Sequence, residues 1–138
     1  MSFKVVIPAR HGATRLPGKP LRLIAGLPMI QHVYRRAVDS GAEEVIIATE
    51  HALVAQMASS FGATVCMTGD QHLCGTDRIA EVVAQRGWAD DAVVVNLQGD
   101  EPTMPAVNVA RVAENLQAQP TAQVATLCTP IGTVEELL

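Results

Sequence analysis

The chain has 138 residues, 49% of them hydrophobic, enough for one domain to bury a core without disulfide or metal staples. Aromatic residues make up only 3%, which disfavours a stacking platform for single-stranded nucleic acid. The formal net charge is −4, yet four of the ten Lys and Arg residues lie between positions 10 and 22, a focused patch that suits a small anion rather than a polyanion.

In chain order, "FKVVIP" (3–8) reads as a strand and runs into the basic loop "ARHGATRLPGKPL" (9–21). Helical periodicity follows at 28–40, then the strand "EVIIAT" (44–49), a helix at 51–61, and the strand "TVCMT" (64–68). A polar loop at 69–78 leads to a helix at 76–86. The apolar strand "AVVVNLQ" (92–98), a loop at 98–105, a helix at 105–118 and a last strand "QVATLCTPI" (123–131) complete the pattern. Strands alternating with helices, and apolar enough for burial on both faces, predict an α/β fold: a doubly wound, mostly parallel sheet. Ligands in such sheets lie beyond the carboxyl ends of the strands, so the loops at 9–21, 69–78 and 98–105 are the expected site. In "TVEELL", Thr133 and Glu136 form a capping-box pattern that stops after about one turn. A single turn has little propagation to offset its nucleation cost, so a piece of a longer protein is expected.

Cys66, Cys74 and Cys128 are odd in number and lack C-x-x-C spacing, which points to neither a disulfide framework nor a zinc site. No stretch approaches the roughly 20 apolar residues of a membrane span, and the first ten residues have too short an apolar run for a secretory leader. The expectation is a cytoplasmic, reducing location.

Gly12 to Lys19 reads G-A-T-R-L-P-G-K, but five residues separate the glycines and Pro20 follows the lysine, so it is not a Walker A loop. Pro17 and Pro20 stiffen it instead. Gly12 and Gly18 would let backbone N–H groups approach phosphate oxygens, with Arg10, Arg15 and Lys19 neutralising a triphosphate. The alternative is a solvated β-α loop.

"IPARHGATRLPGKPL", "GTDRIAEV" (75–82) and "NLQGDEP" (96–102), in that order and spacing, resemble the 3-deoxy-manno-octulosonate (Kdo) cytidylyltransferase family. The likeness covers essentially the whole chain. It implies a Rossmann-like fold of the nucleotide-diphospho-sugar transferase type, with residues 1–138 as the N-terminal, nucleotide-binding part of a longer domain. It also implies transfer of CMP from CTP to Kdo, for lipopolysaccharide synthesis, with Mg²⁺ as cofactor. On the matching positions, Arg10, Arg15 and Lys19 would hold the triphosphate, Arg15 and Lys19 acting in catalysis. Asp100 would hold Mg²⁺, and Gln98 would lie near the acceptor sugar. Gly12, Ala13, Cys74, Gly75 and Arg78 would contact the nucleotide, although Arg78 could equally anchor its loop internally. Thr76 and Asp77 are candidate caps for the helix behind them. Glu101 is the second carboxylate candidate, and His72 reads as structural rather than as a base.

Ala13 and Cys74 stand where the family usually has serine, Gly69 where many members have Arg or Ser, and Glu50 where Asp is common. Each lost hydroxyl could weaken nucleotide binding by roughly 1.5–3 kcal/mol. Cys74 is also a candidate reactive thiol, against the plainer reading of a small buried cysteine. Family members continue through segments that contact Kdo, supply a second metal carboxylate and form a homodimer. Little turnover is therefore expected of these residues alone. The alternatives are a non-catalytic CTP-binding module, a cytidylyltransferase for another sugar acid, and a scaffold domain.

Overall fold

The computed structural model describes residues 2–12 and 18–137. Four strands, β1 (Lys4–Pro8), β4 (Glu44–Thr49), β5 (Thr64–Met67) and β6 (Val94–Asn96), form one parallel sheet in the order β5-β4-β1-β6. Side chains alternate across a strand, and they do so here. Val5 and Ile7 of β1, Ile47 of β4 and Val95 of β6 join one core cluster, whereas Val6, Ile46, Ala48 and Cys66 join another.

The first cluster is covered by helices α1 (Met29–Asp39), α2 (Ala52–Ser60) and α4 (Ala106–Ala118), through Ile30, Val33, Ala37, Val54, Ala58, Val109 and Ala113. The second is covered by α3 (Gly75–Arg86), through Ile79 and Val82. The chain steps from β1 to β4 to β5 in one direction, then returns past both to place β6 beside β1. That reversal puts α3 on the opposite face and makes the fold doubly wound. It also creates a switch point between the carboxyl ends of β1 and β6, where a crevice opens.

Helix ends follow their local chemistry. His51 caps α2 by accepting the Leu53 N–H at Nδ1, 3.1 Å away. Gly87, with φ of 65°, ends α3 in a left-handed turn whose N–H reaches the carbonyls of Val83 and Ala84. Half of the terminal capping box forms: Thr133 Oγ1 accepts the Glu136 N–H at 3.3 Å at the start of α5 (Val134–Leu137), while Glu136 Oε2 accepts the N–H of Gly132, one residue before the cap, at 2.7 Å.

Two elements differ from the sequence reading. Residues 22–28 hold a two-stranded hairpin, β2 (Leu23–Ile24) with β3 (Leu27–Pro28), turning through Ala25 and Gly26 at φ of 50° and 82°. Positive φ at both turn positions matches the right-handed twist of paired strands. The strand expected at 123–131 does not form. β6 is three residues long, offering few ladder groups, and Pro130 lacks a donor. Val124 is 82% exposed. Ala125 and Leu127 instead line a groove along β6 and α4. Among the described residues no helix is long and apolar enough to cross a membrane.

Candidate functional site

The loops after β1, β5 and β6 converge at the switch point around a cleft of about 310 Å³. β1 and β6 are paired in register from Lys4–Val94 to Val6–Asn96, so the residues that follow must pass close to one another. The Gly99 N–H donates to the Pro8 carbonyl at 3.1 Å. A Cβ on Gly99 would stand 2.9 Å from that same oxygen, and one on Gly75 would stand 3.0 Å from both the Pro8 ring and the Gln98 amide. The two glycines are what let three backbones meet around one cleft.

Lys19 and Asp100, 81 positions apart, face each other across it, with Nζ 3.2 Å from Oδ2. Lys19 begins a short 3₁₀ turn, Lys19–Leu21, after Gly18 at φ of 70°, and the Gly18 carbonyl accepts the Leu21 N–H. Asp100 lies in a turn closed by the Glu101 N–H on the Gln98 carbonyl at 3.1 Å. "QGDEP" thus forms a tight turn at the edge of the cleft. Arg10, Cys74, Gly75, Arg78 and Gln98 also border the cleft. The Gln98 amide donates to Asn96 Oδ1 at 3.0 Å, which fixes its orientation. Gly12 is described, with nothing within 4 Å of where its Cβ would stand. Ala13 and Arg15 lie outside the described residues.

The remaining candidates are sorted by geometry. Arg78 is only 4% exposed, and Nη1 donates to Thr68 Oγ1 at 2.5 Å and to the Gly69 carbonyl at 3.2 Å. Its guanidinium thus takes the internal anchoring role. Glu101 lines the groove beneath β6 and α4 rather than the cleft. α3 begins at Gly75, one residue earlier than expected, so Thr76 and Asp77 lie in its first turn. The N-cap is Cys74, which makes no side-chain cap bond. Cys74 is exposed, contrary to the plainer expectation for a cysteine, and Cys66 is the buried one. Burial and the nearby Glu81 carboxylate push the Cys66 thiol up.

Glu81 organises the 69–78 loop. Its Oε1 accepts the Gly69 N–H at 3.0 Å and lies 2.8 Å from His72 Nε2, while Gln85 donates to Oε2 at 2.6 Å. The Gly69 amide first, and then His72, hold this carboxyl below the usual carboxylate range. A carboxyl lowered on folding adds stability that is present above its unfolded value, near 4.5, and lost as pH falls through the folded one. Melting temperatures at pH 7, 5, 4 and 3 check this. The wild type is expected to lose stability more steeply below pH 4.5 than Glu81→Gln, which keeps an acceptor oxygen but does not titrate; parallel curves would contradict it.

Sequence reasoning missed a second knot behind the basic loop. The His11 N–H donates to Glu50 Oε1 at 3.0 Å, and the His11 ring stacks on His51 with centroids 3.8 Å apart. Both partners come from the end of β4, and only the unusual Glu50 hinted at them.

Among the described residues no three His, Cys, Asp or Glu side chains are grouped to hold a metal by themselves. What the cleft offers is one carboxylate opposite a lysine, beside Arg10. Residues 4–138 match the cytidylyltransferase family. The chain belongs to that family. Among curated cytidylyltransferases, 3-deoxy-manno-octulosonate cytidylyltransferase of Thioalkalivibrio sulfidiphilus is 56% identical over 138 residues, covering 100% of this chain and 55% of the relative. The enzyme of the same name from Halorhodospira halophila is 56% identical over 136 residues, covering 99% and 53%. A solved CMP:2-keto-3-deoxy-manno-octonic acid synthetase complexed with CTP superposes with a TM-score of 0.81 at 42% identity, over 88% of this chain and 49% of that one. The chain therefore spans about half the length of the relatives it matches. The cytidylyltransferase fold agrees with the α/β, mostly parallel architecture expected from the sequence.

Proposed function

We propose that this chain carries the CTP-binding part of a Kdo cytidylyltransferase. The reaction joins the anomeric hydroxyl oxygen of Kdo to the α-phosphorus of CTP. The bond from that phosphorus to the bridging oxygen breaks, pyrophosphate leaves, and the hydroxyl proton passes to solvent. The observation that carries the reading is the meeting of Lys19 and Asp100 across the switch-point cleft. Relatives of that name, and the CTP complex of the similar synthetase, support it.

Arg10 and Lys19 supply positive charge for the triphosphate, with Arg15 as a third cation from the same loop. Little covalent chemistry falls to the protein in phosphoryl transfer, so these residues act by positioning and by opposing charge that develops on the phosphates. Gln98, Cys74, Gly75 and the α3 entrance form the wall assigned to the sugar and base. Ala13 and Cys74 offer no serine hydroxyl to either.

Asp100 fits a divalent cation. Its side chain is 52% exposed, and its partner is an exposed lysine that can turn aside. Mg²⁺ commonly uses one or two carboxylates and completes its shell with phosphate oxygens and water. Bound there, Mg²⁺ would neutralise phosphate charge. The protein is assigned to the cytoplasm, where CTP is found, and a full-length homodimer is the assembly proposed.

Titrating CTP with Mg²⁺ into the wild type and Asp100→Ala, with pyrophosphate release measured after adding Kdo, tests this. Mg²⁺-dependent CTP binding is expected, weakened at least about tenfold in Asp100→Ala. Absence of binding in the wild type would overturn the reading. Pyrophosphate release that Asp100→Ala abolishes would show that these residues suffice for turnover. Binding without release would mark a CTP-binding unit that needs the rest of the enzyme.

A further inference from the structure

The basic loop is tethered at described points on both sides of residues 13–17. The Gly18 N–H donates to the His11 carbonyl at 3.0 Å, and a Cβ on Gly18 would lie 3.4 Å from the His11 ring. Lys19 follows directly. His11 is thus the point where the loop closes on itself. It rests on the end of β4, by its N–H on Glu50 Oε1 at 3.0 Å and by its ring on His51. His51 is itself fixed, since its N–H donates to Thr49 Oγ1 at 3.2 Å and its Nδ1 accepts from Leu53.

Glu50 is unusual in this setting. Its side chain is 16% exposed, and Oε2 is buried without a hydrogen-bond donor among the described residues, although Arg78 Nη1 stands 3.3 Å away. That contact has the distance of an ion pair without hydrogen-bond alignment. Arg78 is committed to Thr68 and Gly69, so one carboxylate links the basic loop to the loop before α3. A buried carboxylate is costly unless its pairing is useful elsewhere. Here its directed bond goes to the backbone of the loop that carries Lys19.

We propose that Glu50 is a positioning residue: it holds the basic loop for a phosphate-bearing ligand through the His11 amide. The inference rests on the CTP reading above for the ligand's identity, but not for the tether. Glu50 touches no ligand in this scheme. It sets where the His11–Gly18 closure, and hence the Lys19 ammonium, stands relative to Asp100.

Two variants separate the tether from the charge. Glu50→Gln keeps an acceptor oxygen for the His11 N–H, and Glu50→Ala removes it. CTP and cytidine affinities are measured for each, together with hydrogen exchange of the His11 amide. In Glu50→Ala the CTP dissociation constant is expected to rise at least about tenfold, as misplacement of a positioned charge does. Cytidine, which has no phosphate for the loop to hold, is expected to bind as to the wild type. His11 exchange should quicken at least about tenfold in Glu50→Ala, and Glu50→Gln should restore both quantities to within about threefold. Should Glu50→Ala fail to fold, Glu50→Ala with Arg78→Met leaves no buried charge alone and is read instead.

Unchanged CTP affinity in a folded variant would overturn the proposal. So would parallel losses for CTP and cytidine, which would indicate general damage to the cleft, or unaltered His11 exchange. If the wild type bound no CTP, the functional reading would fall, and the exchange measurement alone would decide whether Glu50 holds His11.

Discussion

Arg78→Ala is expected to be the most destabilising single substitution at the cleft, costing about 3 kcal/mol, the lower end for breaking a buried ion pair. The side chain is 5% exposed and Glu50 opposite is 16% exposed, so its loss would leave a carboxylate and the Thr68 hydroxyl facing a cavity. For a chain of this size that is a fall of roughly 10 °C in melting temperature. Surface pairs such as Arg86 with Glu44 contribute about 0–1 kcal/mol at most, so the contrast is wide. Thermal and urea unfolding of Arg78→Met, Glu50→Gln and their double variant check the cause. The double variant should be less destabilised than the sum of the singles, because removing both charges leaves neither stranded. Additive losses would mean that the two side chains act independently.

The same network shows where sequence reasoning reaches and where it stops. The four strands of the sheet are legible because short β-branched, apolar runs are local signals, buried continuously in β1 and β4, and the helices because Ile30, Val33 and Ala37 recur at helical spacing. The pairing of Lys19 with Asp100 is legible indirectly. Each follows a strand, and adjacent strands at a switch point bring their loops together. The His11–Glu50 bond has no such signature: Glu50 stands out where Asp is common, but nothing in its neighbourhood names a partner 39 positions away.

Two misreadings came from weighing local preference above tertiary demand. Thr76 and Asp77 are good capping residues, yet the helix starts one residue earlier, at Gly75, where a Cβ would crowd the Pro8 ring and the Gln98 amide at 3.0 Å. "QVATLCTPI" has strand composition, but a strand needs a ladder as well as a composition. The hairpin at 22–28 was missed because Ala-Gly is a weaker turn signal than Asn-Gly. There Ala25 takes the positive φ that asparagine or glycine would adopt more readily.

Lys19→Ala is expected to have the largest effect on ligand binding with the least effect on stability. Lys19 is 38% exposed on its side chain and, among the described residues, paired only with the exposed Asp100, so its removal should cost about 0–1 kcal/mol of folding stability. A hydrogen bond to a charged group is worth about 1.5–3 kcal/mol, which places the rise in the CTP dissociation constant at roughly 10- to 150-fold. Lys19→Arg should recover only part of this, because a planar fork does not reproduce a compact ammonium at the start of a 3₁₀ turn. The pair also predicts opposite signs for its two members. Without divalent metal, Asp100 repels the triphosphate and competes for Lys19, so Asp100→Ala should bind CTP more tightly than the wild type, whereas Lys19→Ala should bind more weakly. With Mg²⁺, both variants should bind more weakly, since the carboxylate is then an asset. Calorimetric titration of both variants in EDTA and in Mg²⁺ reads all four cases. A crossing for Asp100→Ala alone would show that the ion pair is a resting contact exchanged on binding: lysine to phosphate, aspartate to metal. If Asp100→Ala weakened binding equally in both conditions, Asp100 would be acting as a structural partner of Lys19, and the metal would have to be held elsewhere.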